Sequence, residues 1–301
     1  MKNTLNRLFA CLFLIVCMPA VSYAGSGWYG KFDNAIRRFL VSGIDTTYIV
    51  AAPMSWEIPV VAGIHGNMSR ISINRDNAFT INSGNVPEVG IGIGYHGLDY
   101  VYKVNLGRNN SFKRYFEFNY YDNYWGAEII TSEKTPSDAG VGVATTSLGG
   151  YIALNGKEFS YPASFYGNYI QKRSSGSALI FIWYDHTRAW ASPEGSVPAL
   201  ASPVNVDNVA VCGGYGYNWS FNEGRTLLSA VGCAGLIAPY FGVSAQVRLS
   251  AMHWHSDSFR TFVSLVQYAS LGMVREHESF VNSEWMATVG VAYCFGRKRS
   301  E

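Results

Sequence analysis

Glu284 to Gly296 reads EWMATVGVAYCFG. Trp285, Ala287, Val289, Val291, Tyr293 and Phe295 fall on one face; Met286, Thr288, Gly290, Ala292, Cys294 and Gly296 fall on the other. Period two is the signature of a strand. One face is apolar, with aromatic residues near both ends, and the other is small and mixed. A soluble sandwich also buries one apolar face per strand, so recurrence of the pattern has to decide.

It recurs. Phe241, Val243, Ala245, Val247, Leu249 and Ala251 alternate with Gly242, Ser244, Gln246, Arg248, Ser250 and Met252. On a lipid face near the midplane Arg248 would cost roughly 2–4 kcal/mol, whereas a hydrated lumen tolerates it. Val89 to Leu106 alternates on both sides of a turn at Gly97, and Lys113 to Ile130 does so around Asp122-Asn123. Val209 to Leu236 forms a hairpin around Asn222 to Gly224. In the first long strand, from Trp56, Gly66-Asn67 is a bulge or a turn. The fold class is all-β, a transmembrane antiparallel β-barrel of about twelve strands, within ten to fourteen. Closure follows from the solvent: an open sheet edge in hydrocarbon leaves backbone N–H and C=O groups unpaired. Aromatic and charged residues each make up 15% of the chain, which suits strands shared between lipid and a polar lumen.

Lys2, Arg7, an apolar run from about Leu8 to Val21 and then Ser22-Tyr23-Ala24 read as a signal peptide, residues 1–24, cleaved after Ala24. The run is too short for a spanning helix. Loss of Lys2 and Arg7 takes the formal charge from +2 to about zero, so no field draws nucleic acid. Residues 25–55 form a periplasmic N-terminal segment. Phe32, Ile36, Phe39 and Leu40 stand opposite Asp33, Arg37 and Arg38 on a short amphipathic helix, followed by an extended lead-in over Asp45 to Pro53. Residues 56–296 are the outer-membrane barrel and 297–301 a tail. Cys212, Cys233 and Cys294 remain after cleavage, an odd number that argues against a disulfide framework. No spacing suggests a metal or a cofactor.

An even strand number brings both ends to one side. Tight turns at Gly97, Asp122-Asn123, Asn222 to Gly224 and His255 to Asp257 belong to the periplasmic side, and long connections at 74–87, 131–144, 188–207 and 275–283 to the outside. The exception is a non-strand connector, 155–176, which the count places on the short side.

That connector and its flanks carry a resemblance. Tyr151, Asn155, Phe159-Ser160-Tyr161, Ala163, Phe165 and the run Gln171-Lys172-Arg173-Ser174-Ser175-Gly176-Ser177 are its core. DTTYIVAAP (Asp45 to Pro53) and PEVGIGIGY (Pro87 to Tyr95) fit as well. The chain resembles the DUF4421 family of uncharacterised exported proteins from Bacteroides-type bacteria. The resemblance implies an outer-membrane barrel localised to the bacterial cell outer membrane, and brings no activity or catalytic residue. Many such barrels end on an aromatic residue read by the insertion machinery. Here Phe295 takes that part, although GRKRSE follows it.

As a plug or rim, the connector would use Asn155, Phe159, Ser160, Gln171, Lys172, Arg173 and Ser175. Lys172, Arg173 and Ser175 would pair with lumen carboxylates such as Glu117 or Glu128, since half-buried charges need partners. The plainer reading leaves Lys172 and Arg173 solvated. Lys103, Glu117, Glu128 and Arg248 give the lumen both signs of charge, so no ion preference follows. His253, His255, Ser256 and Asp257 permit an esterase reading only if a serine Oγ reaches an imidazole held by a carboxylate; polar turn residues are the alternative. No HExxH or GxSxG occurs. Three classes of function stay open: a passive pore for small solutes or a structural membrane protein, a hydrolase modifying lipid or lipopolysaccharide, and a binding or assembly protein using its outer loops. The first and third are not enzymes. The partners expected are outer-membrane lipid, lipopolysaccharide and the β-barrel insertion machinery, with the solute open.

Overall fold

The computed structural model describes residues 31, 35–36, 38, 42–72, 78–106, 114–134, 141–191, 203–239, 241–275 and 278–296. The signal-peptide segment, the tail and most of the expected amphipathic helix lie outside them. Among the described residues no helix is long and apolar enough to cross a membrane.

In chain order the elements are β1 (Ile49–Ala51), β2 (Trp56–Ser72), β3 (Ala78–Tyr95), β4 (Leu98–Asn105), β5 (Arg114–Tyr121), β6 (Trp125–Lys134) and β7 (Val141–Ala153). Then come α1 (Tyr161–Phe165), β8 (Tyr169–Gln171), β9 (Ser175–Ala191), β10 (Val204–Phe221), β11 (Thr226–Ala238), β12 (Phe241–Ser256), β13 (Phe259–Arg275) and β14 (Glu278–Phe295). β1 and β8 pair only with each other, and the remaining twelve strands close an antiparallel barrel. Each neighbours the next in sequence, apart from the α1–β8 excursion between β7 and β9. β14 closes the ring on β2, from Phe295 against Trp56 to Ser279 against Ser72. Each of the twelve strands then has a neighbour on both sides, and the closed ring is what a hydrocarbon environment demands.

Side-chain parity follows the sequence pattern. On β12, Val243, Val247 and Leu249 are exposed while Ser244, Gln246 and Arg248 are buried. On β14, Val289, Val291 and Tyr293 face out while Thr288, Ala292 and Cys294 face in. The Gly66-Asn67 ambiguity resolves as a bulge, with a register shift between Asn67 and Met68 inside an unbroken β2.

One end of the barrel carries the start of β2, the end of β14 and the tight turns. At His96-Gly97 both residues have positive φ, 51° and 88°, as a two-residue hairpin requires. The far end differs from expectation. The connections expected at 74–87, 131–144, 188–207 and 275–283 are strand in part, since β3 begins at Ala78, β6 runs to Lys134, β7 begins at Val141, β9 runs to Ala191, β10 begins at Val204 and β14 at Glu278. Tilted crossing needs about 9–11 residues. β2, β3, β9, β10, β13 and β14 have 17 or 18, so they rise past the apolar belt. β4 and β5 have 8 each.

Candidate functional site: a plugged end and the chamber above it

Residues 154–174 turn inward at the end that carries the start of β2 and the end of β14. α1 forms because Ser160 caps it, its Oγ accepting from Ala163 N at 3.2 Å, and because Pro162 sits in the first turn, where a missing N–H costs nothing. Tyr161, Pro162, Ala163 and Ser164 are buried. β8 then pairs with β1, Ile49 opposite Gln171 and Ala51 opposite Tyr169. The lead-in and the connector thus form one small layer across the mouth of the barrel.

Polar side chains fasten that layer to the wall. Asn218 of β10 is fully buried. Its Nδ2 donates to Ser160 O at 2.9 Å and Gln171 Oε1 at 3.2 Å. Its Oδ1 accepts from Ser164 Oγ and Ser229 Oγ, both at 2.6 Å. Gln171 Oε1 also accepts from Ser160 N at 2.9 Å, and Nε2 donates to Glu158 O at 2.6 Å and Arg173 O at 2.8 Å. Ser250 of β12 donates to Ser164 O. Arg260 of β13 donates from Nη2 to Tyr166 O at 2.7 Å and to Glu57 Oε1 and Oε2 at 2.9 and 2.8 Å. Gly167 follows with φ +70°, and a Cβ there would overlap the Arg260 guanidinium. Tyr169 OH donates to Asp122 at 2.9 Å in the β5–β6 turn. Burial raises the Asp122 pKa, against the lowering effect of the Asn123 N–H and the Tyr169 hydroxyl.

Above this layer lies a cavity of about 320 Å³. Glu57, Asp99, Glu117, Glu128, Asp185 and Glu284 line it, against the basic side chains of Lys103, Arg248 and Arg260. The lumen therefore carries more carboxylate than base, which the four residues singled out from sequence did not reveal. Lys103 Nζ pairs with Glu88 at 3.0 Å and lies over the Tyr115 ring. Arg248 Nη2 stands 3.6 Å from Glu128, which also accepts from Tyr121 OH and from Trp183 Nε1 at 3.2 Å. Glu117 accepts from Tyr115 OH at 3.1 Å, Asn119 Nδ2 at 2.9 Å and Tyr166 OH at 3.2 Å. Glu284 lies 2.7 Å from His65 Nε2.

The connector's expected charge pairs are absent among the described residues. Glu117 and Glu128 are taken by wall and plug groups, while Arg173 is exposed and stacks over Tyr48 at 5.8 Å. Lys172 is half-buried and meets the lead-in through its backbone, N to Tyr48 O at 2.6 Å. Ser175 is buried at the start of β9, Asn155 Nδ2 donates to Gly176 O at 3.1 Å, and Phe159 is fully buried among aromatic residues. The joints missed from sequence are Glu57–Arg260, His65–Glu284 and Asn218. In the two ion pairs the partners lie more than 200 residues apart, and only the register joins them.

His253 Nδ1 is 2.9 Å from Thr226 Oγ1, and His255 Nε2 is 3.1 Å from Thr261 Oγ1. Ser256 Oγ accepts from Ser258 N at 3.3 Å. The structure brings the two imidazoles together, ring centroids 4.6 Å apart, but not the serine to either. Among the described residues no group of three or more His, Cys, Asp or Glu is placed to hold a metal ion.

The model of a family described as domain of unknown function (DUF4421) matches residues 43–293, and the chain belongs to that family, as its connector motif led one to expect. No curated protein matches it. Among solved structures it is similar to the translocator domain of the autotransporter NalP from Neisseria meningitidis, at 10% identity over 93% of this chain and 99% of that one, TM-score 0.38. It is also similar to the toluene transporter TodX of Pseudomonas putida, at 9% identity over 82% and 91%, TM-score 0.28. The N-terminal β-barrel domain of OprF from Pseudomonas aeruginosa matches at 11% identity over 79% and 97%, TM-score 0.25.

Proposed function

We propose that this member of the DUF4421 family is a self-plugged outer-membrane barrel, whose lumen is a small-ligand chamber rather than a through-pore. The observation that carries the reading is the layer of residues 154–174 with β1, hydrogen-bonded into β5, β10, β12 and β13 of the wall. The plugged end is the periplasmic one, because the short turns, the start of β2 and the end of β14 gather there. The apolar belt meets lipid and lipopolysaccharide. Phe295, stacked on Trp56 at 6.4 Å, ends the strand that the insertion machinery reads. Residues 1–24 direct export and are removed by cleavage after Ala24.

Conductance across a planar bilayer tests the plug. The intact protein should give no current steps. Asn218→Ala and Arg260→Ala should give intermittent steps as the layer loosens. Large ohmic steps from the unaltered protein would restore the open pore and end this reading.

A further inference from the structure

We infer that the plug end of the chamber binds a small organic cation, a primary ammonium group on a short apolar body, with Asp99 as its counter-ion. The inference rests on the closed-chamber reading and names the ligand class of that chamber.

The three basic side chains of the chamber are already committed. Lys103 serves Glu88, Arg248 serves Glu128, and Arg260 holds both oxygens of Glu57. Of the remaining carboxylates, Glu284 has His65, Glu117 has three neutral donors and Asp185 has the Ser147 hydroxyl. Asp99 has none: it is 5% exposed, lines the cavity, and its Oδ2 meets no donor among the described residues. Its charged surroundings are Glu57, Glu117 and Arg260. A buried carboxylate without a donor is costly. A ligand that brings both a positive charge and N–H groups removes that cost.

The walls select the kind of cation. Tyr115, Phe165, Tyr166 and Phe262 line the same cavity. Aromatic faces favour an ammonium group and an apolar body. A hard divalent ion needs six or more oxygens around it, and the described residues offer no such group. An anionic solute would meet the carboxylate excess.

The probes are benzylammonium, its neutral counterpart benzyl alcohol and its anionic counterpart benzoate. Each is titrated by calorimetry into the full mature chain in detergent. Benzylammonium should bind, and the other two at least about tenfold more weakly. Asp99→Asn, with heat-modifiable gel mobility retained, should weaken benzylammonium by about thirtyfold or more, as loss of a buried ionic partner does. Asp185→Asn, higher in the lumen, should change it less than about threefold. Equal binding of benzylammonium and benzyl alcohol, or no binding at millimolar concentration, overturns the inference, and this comparison needs no variant to fold. So does an equal loss in the two variants. Conductance reports on the plug independently, so a closed barrel that ignores benzylammonium sinks the ligand class and leaves the chamber standing.

Discussion

Removing Arg260 would leave Glu57 inside the wall with no cation. The Arg260 side chain is 1% exposed and that of Glu57 13%, so water can replace the missing partner only in small part. Breaking a buried pair from one side costs about 3–5 kcal/mol, more than the pair contributes against an apolar substitute. Arg260→Met should therefore lower stability by that amount, and Glu57→Gln in the same chain should recover part of it. Urea unfolding from lipid vesicles, followed by tryptophan fluorescence, reads both; equal losses in the single and double variants would refute the pairing. Gly167→Ala probes the same joint from the plug, where a positive φ and the guanidinium both oppose a Cβ. Asp122 adds a pH dependence in the turn below. Its pKa is raised above the ordinary 3.8 by burial. The fold thus prefers the protonated form. That contribution is fully present below the unfolded value and is lost as pH rises through the folded one. Asp122→Asn keeps an acceptor for Tyr169 and cannot ionise. Its stability relative to the wild type should rise from about pH 4 upward and then level off; a difference independent of pH would remove Asp122 from the account.

At the scale of elements, the plug depends on a barrel residue as much as on its own sequence. Asn218→Leu would take one hydrogen-bond partner each from Ser160 O, Gln171 Oε1, Ser164 Oγ and Ser229 Oγ. Gln171 Oε1 keeps Ser160 N, and Ser164 Oγ and Ser160 O keep each other, so the Ser229 hydroxyl loses most. Each buried group left unsatisfied costs about 1–3 kcal/mol. The variant should retain a folded barrel by gel mobility while proteases cleave between residues 154 and 174; an intact, protected connector would show that the layer holds without Asn218. The sequence made the connector visible by contrast, as a stretch without alternation among strands that alternate. It did not show the connector's bonding, because Gln171 and Asn218 are 47 residues apart and neither is charged. The upper halves of the tall strands were hidden for a different reason. Above the lipid belt both faces meet water, apolar periodicity fades, and Ala78 to Val86 reads as a polar loop although it pairs along β2.

For the whole molecule, the solvent on each side of the wall explains why so much of the barrel was legible. A strand in lipid has one face that admits no charge and one that does, so Arg248 alone assigned the parity of β12. The same asymmetry can be measured. Val247 lies mid-belt on β12, 48% exposed toward lipid. Ser264 of β13 lines the chamber. Val247→Arg should cost roughly 2–4 kcal/mol in urea unfolding from vesicles, as a cation held near the bilayer midplane does. Ser264→Arg faces a lumen with more carboxylate than base and should cost much less, or stabilise the barrel through Asp99 or Glu117. The ordering of the two variants matters more than either value. In a soluble sheet stack the outward valine would lie in water or against another sheet, and the lipid-specific penalty would vanish when vesicles are replaced by buffer. If Val247→Arg is as mild as Ser264→Arg in vesicles, the exposed apolar belt does not meet hydrocarbon.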